Sequence, residues 1–118
     1  MKYLCLVYID EDQLASNPAG ECHAYAASLR AEGRNVIAEA LPFGPPVRNV
    51  RVRNGNVSIT DGPFAETKEH LAGIYMFEAP DFGEAVRLAA GIPSASAGRI
   101  ELRPIMEPGE EGEPTRRA

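Results

Sequence analysis

Seven apolar or aromatic residues in a row, Tyr3 to Ile9, begin the pattern, which then breaks into Asp10-Glu11-Asp12. A run of this length, rich in aromatic and β-branched types and closed by polar residues, predicts a strand covered on both faces. A polar loop follows, from Asp10 to about Gly20, with Pro18 placed as the first-turn proline of a helix and Asn17 as its cap. Over Glu21 to Glu32, the residues Cys22, Tyr25, Ala26 and Leu29 recur at i, i+3, i+4 and i+7, one apolar stripe of a helix. Gly33 fits the left-handed position just past its end. Val36 to Leu41 reads as a second strand, broken by Pro42, Gly44, Pro45 and Pro46. Val47 to Arg53 alternates apolar and polar positions, Asn54-Gly55 follows, and Asn56 to Thr60 carries Val57 and Ile59. Asn-Gly between two such runs predicts a β-hairpin, because both turn residues take positive φ.

Asp61-Gly62-Pro63 turns the chain again, and Phe64 to His70 is a polar segment suited to a single helical turn. Gly73 to Glu78 reads as a strand through Ile74, Tyr75, Met76 and Phe77. Asp81 and Glu84 form a capping box that opens a helix from Phe82 to Ala90, with Phe82, Ala85, Val86 and Ala89 on one face and Gly91 and Pro93 at its end. Arg99 to Ile105 is the last strand, with Ile100 and Leu102 inward and Glu101 and Arg103 outward. The order is β-α-β, an inserted hairpin, then β-α-β. That predicts an α+β chain on the ferredoxin-like β-α-β-β-α-β plan, two helices against one mainly antiparallel sheet. Helices cover only one face of such a sheet, and a homodimer packed sheet to sheet covers the other. From Glu107 the Gly, Glu, Pro and Arg composition predicts a disordered tail, residues 107–118, after a single domain of residues 1–106.

Composition narrows the function classes. At 118 residues, 44% hydrophobic and 25% charged, the chain has the material for one buried core. Its net charge is −5; the tail holds four Glu and two Arg, a net −2, which leaves −3 on the domain. A mildly acidic domain lacks the basic stripe that nucleic acid requires. The densest basic stretch is Arg48, Arg51 and Arg53, where Arg51 and Arg53 share one solvated strand face. The two cysteines, Cys5 in an apolar strand and Cys22 in a helix, have no CxxC or Cys/His metal spacing. Both read as small buried hydrophobes, and a disulfide between them stays open. The N-terminal apolar run ends without a small-residue cleavage site and is too short to cross a bilayer, which points to a cytoplasmic protein with no membrane partner.

From Thr60 to Glu69 the chain reads Thr-Asp-Gly-Pro-Phe-Ala-Glu-Thr-Lys-Glu, which resembles the signature of the DGPF branch of the YCII-related proteins. The resemblance extends from Tyr3 to about Glu107. It takes in the opening Tyr-Leu-Cys-Leu-Val-Tyr, Ala-Glu-Ala-Leu at residues 38–41, Val-Arg-Val-Arg-Asn-Gly at the hairpin, and Glu-Leu-Arg-Pro-Ile at residues 101–105. It implies a dimeric ferredoxin-like fold related to the dimeric α+β barrels. Genes of this branch often lie beside alternative sigma factors of the extracytoplasmic-function type, which implies a regulatory context with a sigma factor as partner. Some relatives in the wider family are proposed to use a His-Asp pair in a cleft, the His in the first helix and the Asp in an Asp-Pro step after the second. His23 matches the first place, but the second is Ile92-Pro93, without a carboxylate to set the histidine's tautomer. Ser96 and Arg99 also stand where branch members often have Arg and Ser.

The candidate chemistry crowds the same motif. Asp61, Glu66, Lys68, Glu69 and His70 lie within ten residues of one another. Read as a cleft wall, Lys68 binds an anionic group and Glu66 or Asp61 moves a proton, with His23 as a further acid–base candidate. Phe64, Tyr25 and Tyr75 then line the cleft or fill the core. Read structurally, Asp61 closes a turn, Pro63 fixes the chain and Glu66 and Lys68 are a solvated face. The sequence has no glycine-rich phosphate loop, metal cluster or Ser/His/Asp spacing. These features favour a small-molecule-binding dimer, with cofactor-free acid–base chemistry if it is an enzyme. A non-catalytic regulatory protein is the alternative.

Overall fold

In a computed structural model, which describes residues 1–16, 18–44, 46–62 and 68–109, the opening apolar run becomes β1, Lys2–Asp10. Its alternation sends Tyr3, Cys5, Val7 and Ile9 into the core, while Leu4, Leu6 and Tyr8 are half-buried on the opposite face. The expected cover on both faces is thus supplied by the described residues on one face only. β1 is hydrogen-bonded along both edges. On one side it pairs antiparallel with β5, Glu69–Glu78, and on the other with β6, Gly98–Pro104. β2, Ile37–Ala40, adds to the far edge of β5, so the strand order is β2-β5-β1-β6 with every pair antiparallel. Two helices, α1 at Ala19–Ala31 and α2 at Phe82–Ala90, pack on the core side. This is the ferredoxin-like arrangement the pattern predicts.

Local chemistry explains the helix ends. α1 closes in a Schellman motif: Gly33 N–H donates to the Arg30 carbonyl at 2.9 Å and Arg34 N–H to the Leu29 carbonyl at 3.3 Å, with Gly33 at φ 79°. At the start of α2 the Asp81 side chain accepts from Glu84 N–H at 2.8 Å. The Glu84 carboxylate engages Arg87 at 2.6 and 2.7 Å and Arg34 at 3.1 Å, and the Arg87 guanidinium holds it below the usual carboxylate range.

Several expectations need correction. Pro18 sits at the N-cap of α1 rather than in its first turn, and that end has no side-chain cap bond there. Asn17 lies outside the described residues. The loop from Asp10 contains a 3-10 helix, Glu11–Ser16, packed beside β1. Glu69 and His70 belong to β5 instead of a helical turn, because the ladder with β1 continues to Asp10↔Glu69. The buried face of α2 is Ala85, Leu88 and Ala89, whereas Phe82 and Val86 are exposed. The sequence pattern placed the right residues on a helix but rotated its face. A second 3-10 segment, Pro93–Ala97, follows α2 before β6.

The hairpin forms as expected. β3, Arg48–Arg53, pairs with β4, Asn56–Asp61, as a separate two-stranded sheet. Asn54 and Gly55 both take positive φ, 51° and 77°, which suits Asn and Gly and few other residues. Val50 faces Ile59 and Val52 faces Val57, while Arg51 and Arg53 share the other face with Asn49.

One close approach fixes the β1–β6 pairing. A Cβ on Gly98 would lie 1.9 Å from the Tyr8 carbonyl oxygen and 2.8 Å from Ile9 Cα, both backbone atoms that cannot swing aside. Gly98→Ala is therefore expected to cost at least about 1–3 kcal/mol through overpacking and to lower the melting temperature by roughly several degrees. Thermal denaturation followed by circular dichroism measures this, and an unchanged midpoint would contradict the packing described.

Candidate functional site

A small, open pocket, with about 40 Å³ of space for water-sized groups, lies between α1, the β2–β5 edge and the 3-10 segment after α2. Its apolar wall is Val7, Ala38, Ala40, Ala72 and Gly73, and its polar groups are Cys22, His23, Glu39, Tyr75 and Ser94.

The sheet positions this wall through an irregularity. Val7 faces Gly73 and Tyr8 faces Leu71, so Ala72 is an extra residue between two register positions. The bulge turns Ala72 into the core side, where it is buried beside the pocket. Three residues further along β5, Tyr75 stays on the same side, buried, with its hydroxyl donating to the Cys22 carbonyl at 2.8 Å. That bond ties the first turn of α1 to the central sheet. Burial, reinforced by the Cys22 contact, pushes the Tyr75 phenol up, so at neutral pH it is a protonated donor.

The Cys22 side chain makes a second tie. Its Sγ lies 3.1 Å from Oγ of Ser94, whose residue is buried in the 3-10 segment. Helix α1, strand β5 and the segment after α2 thus meet at one residue. His23, the next residue, is exposed at the rim of the pocket, and Glu39 is exposed on edge strand β2. Both cysteines are free thiols. Cys5 is fully buried in the core, and burial pushes its thiol up to about 12, which leaves it unreactive.

Among the sequence candidates, the pocket gathers His23 and Tyr75. Lys68 is exposed and outside the lining, with its carbonyl accepting from Glu11 N–H at 2.6 Å. Asp61 stands at the foot of the hairpin, its side chain 87% exposed and ion-paired with Arg48 at 3.2 Å. Glu66 and Phe64 lie outside the described residues. His70 is half-buried, its ring against the edge of Phe43 and its Nε2 3.6 Å from a Glu11 carboxylate oxygen. Arg99 lies on the open side of the sheet, over the Tyr8 ring at 4.3 Å and gripping Glu69 at 2.7 and 3.1 Å. Among the described residues, no three His, Cys, Asp or Glu side chains are grouped as a metal site would need.

Sequence reasoning missed Cys22, Glu39 and Ser94 as site residues. Cys22 was read as an inert hydrophobe from its stripe position. The signals that pointed to these residues were adjacency to His23, the Ala-Glu-Ala-Leu segment, and the step just after Ile92-Pro93.

Comparison with known proteins agrees with this architecture. The family profile described as the YCII-related domain matches residues 1–108. The chain is also 34% identical to an uncharacterised protein of Rhizobium meliloti (strain 1021), across 93% of this chain and 98% of that relative.

Two outcomes test the site. In the native protein one thiol, Cys22, is expected to react with a disulfide reagent, and both are expected to react after denaturation. Reaction at Cys5 in the native state would contradict the burial. Tyr75→Phe, which deletes the hydroxyl bonded to Cys22, is expected to cost about 1 kcal/mol in denaturant unfolding. A variant as stable as wild type would show that the bond does not hold α1 to the sheet.

Proposed function

We propose, from the premise that this chain belongs to the YCII-related domain family, that it binds a small, largely apolar molecule in the pocket between α1, the β2–β5 edge and the 3-10 segment after α2. The supporting observation is the lining itself: an apolar wall of Val7, Ala38, Ala40 and Ala72 with polar groups converging on one end. Ser94 and Tyr75 are held by their own contacts and shape the site, whereas His23 stands exposed at its rim. In the enzymatic form of this reading, His23 takes or gives a proton to the bound molecule, and Glu39, on the same pocket, is the nearby carboxylate. The segment Thr60 to Glu69 supports membership of the DGPF branch on this reading.

The reading includes a homodimer. Away from the helices, the sheet carries Leu4, Leu6, Ile74 and Met76 half-buried and Ile37 exposed at its edge. An apolar stripe along the middle of an uncovered sheet face favours association through that face.

The binding test is a thermal-shift screen of small metabolites against wild type and Ala40→Phe. Ala40 is an exposed lining residue, so the larger ring fills the pocket without entering the core. A ligand at about one hundred times its dissociation constant adds roughly 2.7 kcal/mol to wild type, and the shift is expected to vanish in Ala40→Phe. An equal shift in both proteins would move binding elsewhere. No shift with any compound would remove the small-molecule reading.

A further inference from the structure

The tip of the β3–β4 hairpin sets an asparagine directly before a glycine, Asn54-Gly55, with both residues exposed. The two-residue turn needs positive φ at both positions, which is why this pair stands there. The same pair brings an amide carbon beside an unshielded nitrogen. Among the described residues, neither the Asn54 carboxamide nor the Gly55 N–H has a hydrogen-bond partner. Gly55 has no Cβ to screen its nitrogen, and the space where one would stand is open.

The other asparagines lack this combination. Asn35, Asn49 and Asn56 each precede a valine, whose branched Cβ crowds the following nitrogen. Asn17 precedes Pro18, which has no N–H to give up. The side chains of Asn35 and Asn49 are also held, by the Glu78 carboxylate and by the Gly62 carbonyl at 2.6 Å. The hairpin that carries Asn54 has the freedom to react. It is a separate two-stranded sheet outside the core, and such a pair is at best marginally stable by itself. Its tip therefore opens locally, without unfolding the rest, into the geometry that ring closure needs.

We infer that Asn54 is a self-modification site, where loss of the side-chain amide unlocks the hairpin. The Gly55 nitrogen sheds its proton and attacks Asn54 Cγ. A new N–C bond forms, the bond from Cγ to the side-chain nitrogen breaks, and ammonia leaves. Water then opens the cyclic imide at one of its two carbonyls, giving aspartate or isoaspartate. Nothing is oxidised or reduced, and water is the co-reactant. Either product puts a carboxylate beside Arg53. Between Arg48 and Asp61 the hairpin has three arginines against one aspartate, so its net charge falls from +2 to +1. Aspartate keeps the turn, because Asp-Gly suits it as Asn-Gly does. Isoaspartate routes the backbone through the side chain and lengthens it by a carbon. The turn then no longer closes on the Arg53↔Asn56 pair, and the tip loses its register.

The experiment incubates the folded full chain at mildly alkaline pH and follows each asparagine by peptide mass spectrometry, with Asn54→Gly alongside. The signal is the mass gained when ammonia is lost and water added. Asn54 is expected to convert at least about tenfold faster than Asn35, Asn49 or Asn56, and faster still as the pH rises, because the attacking nitrogen must lose its proton. Asn54→Gly keeps a turn-compatible Gly-Gly pair and is expected to gain no mass at that position. The isoaspartate form, separated by chromatography, is expected to lose the Overhauser contacts between Val52 and Val57, which face each other in the fresh protein. Freshly made Asn54→Asp is expected to keep them. Conversion of Asn54 in denaturant but not in the folded chain would overturn the site, since the fold would then protect it. Equal rates at Asn54 and at Asn49 or Asn56 would also overturn it. An isoaspartate form with the Val52–Val57 contacts intact would overturn the unlocking.

Discussion

The structure depends on β1 being hydrogen-bonded along both edges. Its register with β5 runs from Lys2 to Asp10 and with β6 from Tyr3 to Ile9. Four residues of this one strand, Tyr3, Cys5, Val7 and Ile9, are among the core's buried members. A strand paired on both sides has no freedom of register, because a slip of one residue would send that whole set to the open face. Everything that follows is placed against it: the bulge at Ala72, the side taken by Tyr75, and the approach of Gly98 to the Tyr8 carbonyl.

From that constraint the pocket follows in two steps. The bulge lets β5 put both Ala72 and Gly73 next to Val7, giving a small, apolar wall where larger side chains would fill the space. Tyr75 then reaches from the same strand to the Cys22 carbonyl, and Cys22 meets Ser94. The pocket is thus framed by elements that are separately anchored to the core, which is the condition for a preformed binding site. Its chemistry is modest. The described residues offer a rim histidine, a neighbouring carboxylate and fixed donors, a set fit for binding and proton exchange.

Legibility from the sequence divided along physical lines. The strand order was readable because apolar runs, Asn54-Gly55 and the helix stops are local signals, and the ferredoxin-like plan is the short list left after them. The face of α2 was not, since Phe82 and Val86 satisfy helical spacing as well as Leu88 does, and only packing against β6 and the neighbouring segment chooses between them. The start of β5 was missed because Glu69 and His70 look like loop, yet they pair with Asp10 and Ile9 through backbone bonds that any residue can make. For the site, His23 and Tyr75 were visible as residue types, but their meeting with Cys22, Glu39 and Ser94 joins positions up to 72 residues apart. No spacing rule encodes that, and the polar motif around Lys68 drew attention away from it.

Native-state hydrogen exchange, read amide by amide, bears most directly on the claim that β1 is the fixed element. The expected result is that amides of Tyr3 to Ile9 and of Tyr75 and Phe77 exchange only through global unfolding, while those of Val50 to Ile59, in a hairpin outside the core, exchange far faster. Amides of β1 exchanging as early as those of the hairpin would contradict the account.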